Sequence, residues 1–93
     1  MSNNIIIING PNLNLLGERE QSQYGSITFD QLRKNCLNKA KELNANLDFF
    51  QSNIEGEIVT AIQEFKDKSD GIIINAAGFT HTSVAIRDAL DIY

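Results

Sequence analysis

Apolar residues are concentrated in three short segments that alternate with longer, periodic ones. Isoleucines run without a polar interruption over residues 5–8 and again over residues 72–74, as in parallel strands that are buried on both faces. Residues 47–51 alternate apolar with polar side chains, which predicts a half-buried strand at the edge of a sheet. Turn-forming residues lie between the segments. The pattern therefore predicts three strands.

The segment between the first two strands predicts a helix that begins at Thr28. Thr28 and Gln31 have the spacing of a capping box, and Asn44 is a suitable C-terminal stop. Apolar residues recur on one face with the helical period, namely Phe29, Leu32, Cys36, Ala40 and Leu43. On this face Cys36 is expected to be a small core residue rather than a reactive thiol.

Two further helices are predicted, one after each of the remaining strands. The first follows a second capping box at Ser52 and Glu55, and its buried face is predicted to be Ile54, Ile58, Ile62 and Phe65. The last begins near Thr82 and carries two apolar stripes, Ala85, Ala89 and Ile92 in one and Ile86, Leu90 and Tyr93 in the other. Burial of one face needs one stripe, so the second predicts a contact beyond the sheet.

The predicted element order is βαβαβα, which indicates an α/β fold with a parallel sheet. Right-handed crossovers favour the flavodoxin-like strand order 2-1-3. In that order the chain reverses direction between strands 1 and 3, and ligands bind at the carboxyl ends of the strands that flank this point. The loops there, residues 9–26 and 75–82, are the most polar and least periodic parts of the chain. We expect them to form a site together.

Composition narrows the class of protein. The 93 residues allow one domain over residues 1–93, and a net charge of −4 with scattered lysines and arginines argues against a nucleic-acid surface. The longest apolar run, residues 5–8, is too short for a membrane span or a signal peptide. A single cysteine excludes an internal disulfide. These features favour a reducing, cytoplasmic setting with no membrane partner.

Several familiar kinds of site do not fit the two loops. They contain neither a P-loop nor the glycine pattern of a dinucleotide site. One histidine and one cysteine are too few for a typical metal site. His81 with Ser26 or Ser83 would lack the nucleophile elbow of a Ser-His-Asp site. A receiver-like or phosphate-binding site would need an acidic cluster or a glycine-rich loop, which the chain lacks.

The polar residues that remain suit a hydroxylated or carbonyl-bearing ligand. Arg19 precedes Tyr24 by five residues in the first loop. A nearby guanidinium favours the phenolate form of a tyrosine, and a tyrosinate can act as a general base. The alternative is that Tyr24 packs its ring on the sheet edge while Arg19 is solvated.

Structural roles are the simpler interpretation of the other polar candidates taken one by one. Asn12 suits a turn, and Asn75 suits a cap at the end of a strand. His81 suits a helix cap or an exposed position. Asp88 suits a solvated helix carboxylate or an ion-pair partner of Arg87.

Three sequence blocks resemble those of the type II 3-dehydroquinate dehydratases. The first is Asn-Gly-Pro-Asn-Leu-Asn-Leu-Leu-Gly at residues 9–17, followed by Arg-Glu at 19–20 and Tyr-Gly at 24–25. The second comprises Gln-Ser-Asn at residues 51–53 and Glu-Gly-Glu at 55–57, and the third is residues 75–90. The blocks follow the order and spacing of the family and cover essentially the whole chain.

The resemblance implies a flavodoxin-like, cofactor-free enzyme. Such an enzyme dehydrates 3-dehydroquinate to 3-dehydroshikimate in the shikimate pathway, which leads to chorismate and the aromatic amino acids. The family is usually a dodecamer built from trimers, and the second apolar stripe of the last helix agrees with a trimer contact. Arg87 and Asp88 lie where the family reaches toward a neighbouring subunit's site, and Asp88 is the usual contact to substrate.

The resemblance also implies a role for each remaining candidate. Tyr24, in a lid loop over about residues 17–26, would remove the proton next to the substrate ketone. Arg19 would favour the tyrosinate and stabilise the transition state. Asn12 would position a water against the developing enolate. Asn75 and His81 would contact the hydroxyl and carboxylate sides of the substrate.

The chain departs from the family in a few places. Gln21 stands where proline is frequent, and Phe79 stands where tyrosine is common. The family continues with two more βα units, which hold its general-acid histidine and an arginine for the substrate carboxylate. We therefore expect residues 1–93 to be the N-terminal two-thirds of the enzyme and to be inactive alone. The alternative is a non-catalytic α/β ligand-binding remnant of the family.

Overall fold

The computed structural model describes residues 3–18 and 27–93. Strands and helices alternate over this part of the chain as β1 (Asn3–Asn9), α1 (Phe29–Glu42), β2 (Ala45–Gln51), α2 (Glu55–Phe65), β3 (Gly71–Asn75) and α3 (Val84–Ile92). Short 3-10 helices follow β1 at Leu13–Leu15 and β3 at Ala77–His81. The predicted βαβαβα order is confirmed.

The sheet is parallel, and its strand order is β2-β1-β3. The predicted order 2-1-3 and the edge position of β2 are therefore confirmed. Along the central strand, Asn9 stands opposite Gln51 of β2 and Asn75 of β3. Because the three strands run in the same direction, their carboxyl ends meet at one edge of the sheet.

The hydrophobic core lies on one face of this sheet. Ile6 and Ile8 of β1 are 1% and 0% exposed, and α2 packs beside α3 over the same face. The helices complete the core with Ile58, Ala61, Ile62, Ile86 and Ala89. Burial of one isoleucine side chain contributes about 1.5–3 kcal/mol, so this cluster anchors β1 beneath both helices.

The opposite face is covered less completely by the described residues. Helix α1 packs on β2, where the Phe29 and Phe49 ring centroids are 5.3 Å apart. No residue of α1 is fully buried, Ile7 is half-buried, and Ile73 is 57% exposed. The prediction that strands 1 and 3 are buried on both faces is therefore wrong. Its cause is the position of α1, which lies over the far edge strand β2.

Helix α1 begins as predicted. The Gln31 N–H donates to Thr28 Oγ1 at 3.1 Å, and the Thr28 N–H donates to Gln31 Oε1 at 3.0 Å, so the capping box is present. Asn44 follows the helix with a left-handed φ of 56°, as a C-terminal stop requires. Leu43 was predicted on the buried face but is 66% exposed, because it lies after the last helical turn.

The start of α2 differs from the prediction. The residue before the helix is Ile54, which provides no side-chain cap, so Ser52 is not the N-cap. Ile54 is 58% exposed because it precedes the first helical turn. The rest of the predicted face is correct, since Ile58 and Ile62 are buried and Phe65 packs against the core.

One of the two stripes on α3 faces the core. Ile86 is buried, and Leu90 and Tyr93 pack against the core cluster. In the other stripe Ala89 is buried, whereas Ile92 is 62% exposed and the neighbouring Val84 is 78% exposed. Among the residues that the structure describes, none covers this second apolar side of α3.

Candidate active site

The ends of the three strands are locked together beyond the regular sheet. The Ser52 N–H donates to the carbonyl of Asn9 at 3.0 Å, and the Gly10 N–H donates to the carbonyl of Asn75 at 2.7 Å. Asn9 itself is 5% exposed. The loops that follow β1 and β3 therefore start side by side, as the predicted strand order requires.

Asn12 occupies the first of these loops in a left-handed conformation, with φ 68° and ψ −5°. Asparagine adopts this conformation more readily than most residues. Its backbone N–H donates to Asn53 Oδ1 at 2.9 Å. Its side chain is exposed and provides no cap to the 3-10 helix Leu13–Leu15. The backbone thus satisfies the turn, and the carboxamide is left at the surface of the loop.

Gln51, the last residue of β2, and Asn53 complete this arrangement. Gln51 Nε2 lies 3.1 Å from both the Gly10 carbonyl and Asn53 Oδ1, and 3.3 Å from Asn14 Oδ1. Sequence reasoning assigned no role to Gln51 or Asn53. The available signal was their position at the carboxyl end of a strand, because all parallel strands of one sheet bring their carboxyl ends to the same edge.

Asn75 ends β3 and shapes the second loop. Its Oδ1 accepts the Ala77 N–H at 3.1 Å, and Ala77 has a left-handed φ of 51°. Asn75 is therefore a strand-end cap through its oxygen, as its simpler interpretation predicted. Asn75 is exposed, and its Nδ2 has no hydrogen-bond partner within residues 3–18 and 27–93, so this group can still donate to a ligand.

His81 borders a cavity of about 480 Å³ between the second loop and α3. It is the last residue of the 3-10 helix Ala77–His81 and is exposed. The polar lining comes from Thr80, His81, Thr82, Ser83, Arg87 and Asp91. Asn12 and Asn75 do not line this cavity. The structure thus divides the candidates into an asparagine group at the sheet edge and a neighbouring group around His81.

Asp88 is the remaining candidate that lies within the described residues, and it is not joined to either group. Asp88 is exposed on α3 and does not line the cavity beside His81. Arg19 and Tyr24 lie outside the described residues, as does most of the predicted lid. Gly17, the first lid residue, has a φ of 87°.

Two other kinds of feature are missing from the described part of the chain. It contains no group of three His, Cys, Asp or Glu residues that could hold a metal ion. No helix in it has both the length and the apolar character needed to cross a bilayer.

Residues 3–93 match the sequence model of the family Dehydroquinase class II. The chain belongs to the class II dehydroquinases. The resemblance drawn from its three sequence blocks is thereby confirmed. The fold agrees, because this dehydroquinase chain is similar to a crystal structure of type II dehydroquinase from Butyrivibrio crossotus. The TM-score is 0.93 at 44% identity, over 96% of this chain and 62% of the other.

Curated relatives of this dehydroquinase chain carry related names. It is 56% identical over 86 residues to a 3-dehydroquinate dehydratase from Prochlorococcus marinus, covering 92% of this chain and 59% of that protein. It is 56% identical over 90 residues to Catabolic 3-dehydroquinase 1 from Fusarium vanettenii, covering 97% of this chain and 62% of that protein. The chain therefore spans about three fifths of the length of these relatives.

Proposed function

We propose that this chain forms part of a 3-dehydroquinate dehydratase, which removes water from 3-dehydroquinate to give 3-dehydroshikimate in the shikimate pathway. The observation that carries the proposal is the family match over residues 3–93. The 56% identity to a protein named 3-dehydroquinate dehydratase supports it. The proposal includes no cofactor.

The proposed reaction is a stepwise anti-elimination. Tyr24, as tyrosinate beside Arg19, takes the proton next to the substrate ketone, and the electron pair of that C–H bond forms an enolate. Collapse of the enolate then expels the hydroxyl group, which leaves as water after protonation. His81 is the single histidine of the sequence and is assigned to substrate binding. The proton donor for the departing hydroxyl is therefore assigned to no residue of these 93.

The edge of the sheet suits the enolate part of this reaction. In the proposal, the exposed Asn12 carboxamide holds a water against the enolate oxygen, and Asn75 donates to a substrate hydroxyl through Nδ2. Fixed donors stabilise a developing oxyanion without reorganising. The backbone hydrogen bond of Asn12 to Asn53 and the cap that Asn75 forms on Ala77 supply such fixed positions.

The surface of α3 supports an oligomeric form of the enzyme. We propose a cytoplasmic dodecamer built from trimers, in which α3 contacts a neighbouring subunit. Val84 and Ile92 are 78% and 62% exposed on this helix, and such large apolar side chains are suited to an interface core. Asp88, exposed on the same helix, would then reach the neighbour's substrate.

A chimera provides the direct test of the dehydratase proposal. These 93 residues are joined to the part of the Prochlorococcus marinus relative that follows the matched segment. Enone formation is then followed by ultraviolet absorbance. We expect the chimera to dehydrate 3-dehydroquinate. Tyr24→Phe should lower its turnover by about 10²–10⁴-fold, the usual contribution of a general base. An inert but folded chimera that binds no substrate would contradict the proposal.

A ligand-binding remnant of the family is the second candidate. Such a remnant would use the substrate contacts proposed for Asn75 and His81 without turnover. Titration of the 93-residue chain with 3-dehydroshikimate separates the candidates. Binding by the chain with an inactive chimera would favour the remnant, whereas an active chimera would favour the enzyme.

A further inference from the structure

We propose that Gln51 and Asn53 are positioning residues that hold Asn12 in its left-handed conformation. The direction of the Cα–Cβ bond relative to the preceding chain depends on φ, so this conformation decides where the Asn12 carboxamide lies. Gln51 and Asn53 would act through Asn12 rather than on the substrate. The inference deepens the dehydratase proposal and rests on it for the role of Asn12.

The first contact is made by Asn53. Its Oδ1 accepts the backbone N–H of Asn12 at 2.9 Å and the Nε2 group of Gln51 at 3.1 Å. One oxygen thus receives two donors that come from different strand ends. Because an amide oxygen has two lone pairs, both bonds can form at once, and together they fix the rotation of the Asn53 side chain.

The second contact is made by Gln51, which reaches both sides of Asn12. Its Nε2 group lies 3.1 Å from the carbonyl of Gly10 and 3.3 Å from Asn14 Oδ1. Gly10 and Asn14 stand two residues before and two residues after Asn12. The side-chain amide of Gln51 therefore closes the loop around Asn12, and this position requires a donor.

Asn53 is itself held in place by a buried serine. Ser52 is 5% exposed, and its hydroxyl accepts the Ile54 N–H at 2.9 Å and donates to Glu57 Oε1 at 2.5 Å. Its backbone N–H continues the ladder to Asn9 at 3.0 Å. Asn53 therefore projects from a turn that is tied to both β1 and the first turn of α2, which makes it a rigid support for Asn12.

The chemistry at the two positions is opposite, and this allows matched variants. Position 53 needs an acceptor, so Asn53→Asp keeps the bond to Asn12 and Asn53→Leu removes it at similar volume. Position 51 needs a donor. Gln51→Glu replaces that donor with a carboxylate oxygen, which would face the Gly10 carbonyl, Asn14 Oδ1 and Asn53 Oδ1. Gln51→Met removes the donor without adding an acceptor.

The test uses the 93-residue chain labelled with ¹⁵N. Hydrogen exchange of the Asn12 amide is measured by NMR beside the core amides of Ile58 and Ile62, and 3-dehydroshikimate is titrated into each variant. In Asn53→Leu and Gln51→Glu we expect Asn12 to exchange about tenfold faster or more, with unchanged core exchange and about tenfold weaker ligand binding. Asn53→Asp should behave like the parent chain.

The outcomes separate this inference from the dehydratase proposal. Equal Asn12 exchange in the parent, Asn53→Leu and Gln51→Glu would overturn the inference, as would equal effects of Asn53→Asp and Asn53→Leu. If Asn53→Leu also exposes the core amides, Gln51→Met decides, and an Asn12 exchange rate in Gln51→Met equal to that of the parent chain overturns the inference. The expected exchange pattern in the parent chain and the variants would support the positioning of Asn12 whatever the chimera does, whereas a folded chimera that is inert and binds no substrate would contradict the dehydratase proposal alone.

Discussion

The backbone of Gly10 lies against the carbonyl group of Ala76, so that a Cβ atom on residue 10 would stand 2.7 Å from the carbonyl carbon and closer still to its oxygen. The approach accompanies the 2.7 Å hydrogen bond from the Gly10 N–H to the Asn75 carbonyl. Residue 10 therefore has to be glycine for the loops after β1 and β3 to meet.

Gly10→Ala is expected to lower the free energy of unfolding by about 1–3 kcal/mol, the usual cost of forcing extra atoms into a packed region. Urea denaturation followed by circular dichroism measures the change. Gly56→Ala is the matched control, because a Cβ there meets nothing within 4 Å and alanine is favoured over glycine in a helix by about 0.5–1 kcal/mol. Equal stability of the two variants would contradict the steric argument.

Swapping the neighbouring residues Ala77 and Gly78 is expected to stabilise the protein. Ala77 has a φ of 51°, a conformation that costs a residue with a Cβ about 1–2 kcal/mol. A Cβ on Gly78 would meet nothing within 4 Å, and its φ is not positive. The double variant Ala77→Gly/Gly78→Ala should therefore raise the free energy of unfolding by about 1 kcal/mol.

The single variants show which residue is responsible for that gain. Each of Ala77→Gly and Gly78→Ala should contribute part of it in the same urea titration. A loss of stability in Ala77→Gly would show that the left-handed turn is not strained.

The capping box of α1 gives a further prediction. Thr28→Ala removes the oxygen that accepts the Gln31 N–H at 3.1 Å, and loss of such a cap costs about 1 kcal/mol. Thermal and urea unfolding should both show the decrease. Thr28→Ser retains the hydroxyl and should restore most of the stability. A Thr28→Ser variant as unstable as Thr28→Ala would assign the effect to the lost methyl group instead.

A hydrogen bond joins α3 to the turn after α2. The Tyr93 hydroxyl lies 2.5 Å from Ser69 Oγ. Ser69 Oγ donates to the Phe65 carbonyl at 2.7 Å. Tyr93→Phe should lower the free energy of unfolding by about 0.5–1.5 kcal/mol. A double-mutant cycle with Ser69→Ala isolates the pair, and a coupling energy near zero would show that the hydroxyl contact does not stabilise the fold.

The sequence was most informative where one local signal determined the structure. The isoleucine run at residues 5–8 indicated β1, and the spacing of Thr28 and Gln31 located the start of α1. At Ser52 the same spacing was misleading, because its hydroxyl bonds to Ile54 and Glu57 in a turn that precedes the helix. A capping pattern does not reveal which of two adjacent turns a serine closes.

Contacts between distant segments were harder to predict. The exposure of Ile73 depends on where α1 lies across the sheet, and a run of isoleucines carries no information about that position. The network of Gln51 and Asn53 around Asn12 depends on the register between β1 and β2, since the partners are about 40 residues apart. The strand order predicted which loops meet, but the side chains that join them depend on the three-dimensional structure of both loops.

The central place of β1 in a parallel sheet also determines when the edge at the carboxyl ends of the strands can be completed during synthesis. Asn12 leaves the ribosome 41 residues before Asn53, a delay of about 2–8 s at usual elongation rates. The loop at Gly10 must wait longer still for Ala76. Until β2 and α2 have been synthesised, the isoleucines of β1 have neither a neighbouring strand nor that helix above them and are open to chaperones or to aggregation. Of the three strands, β1 is synthesised first, and it gains its second neighbouring strand only when β3 is synthesised.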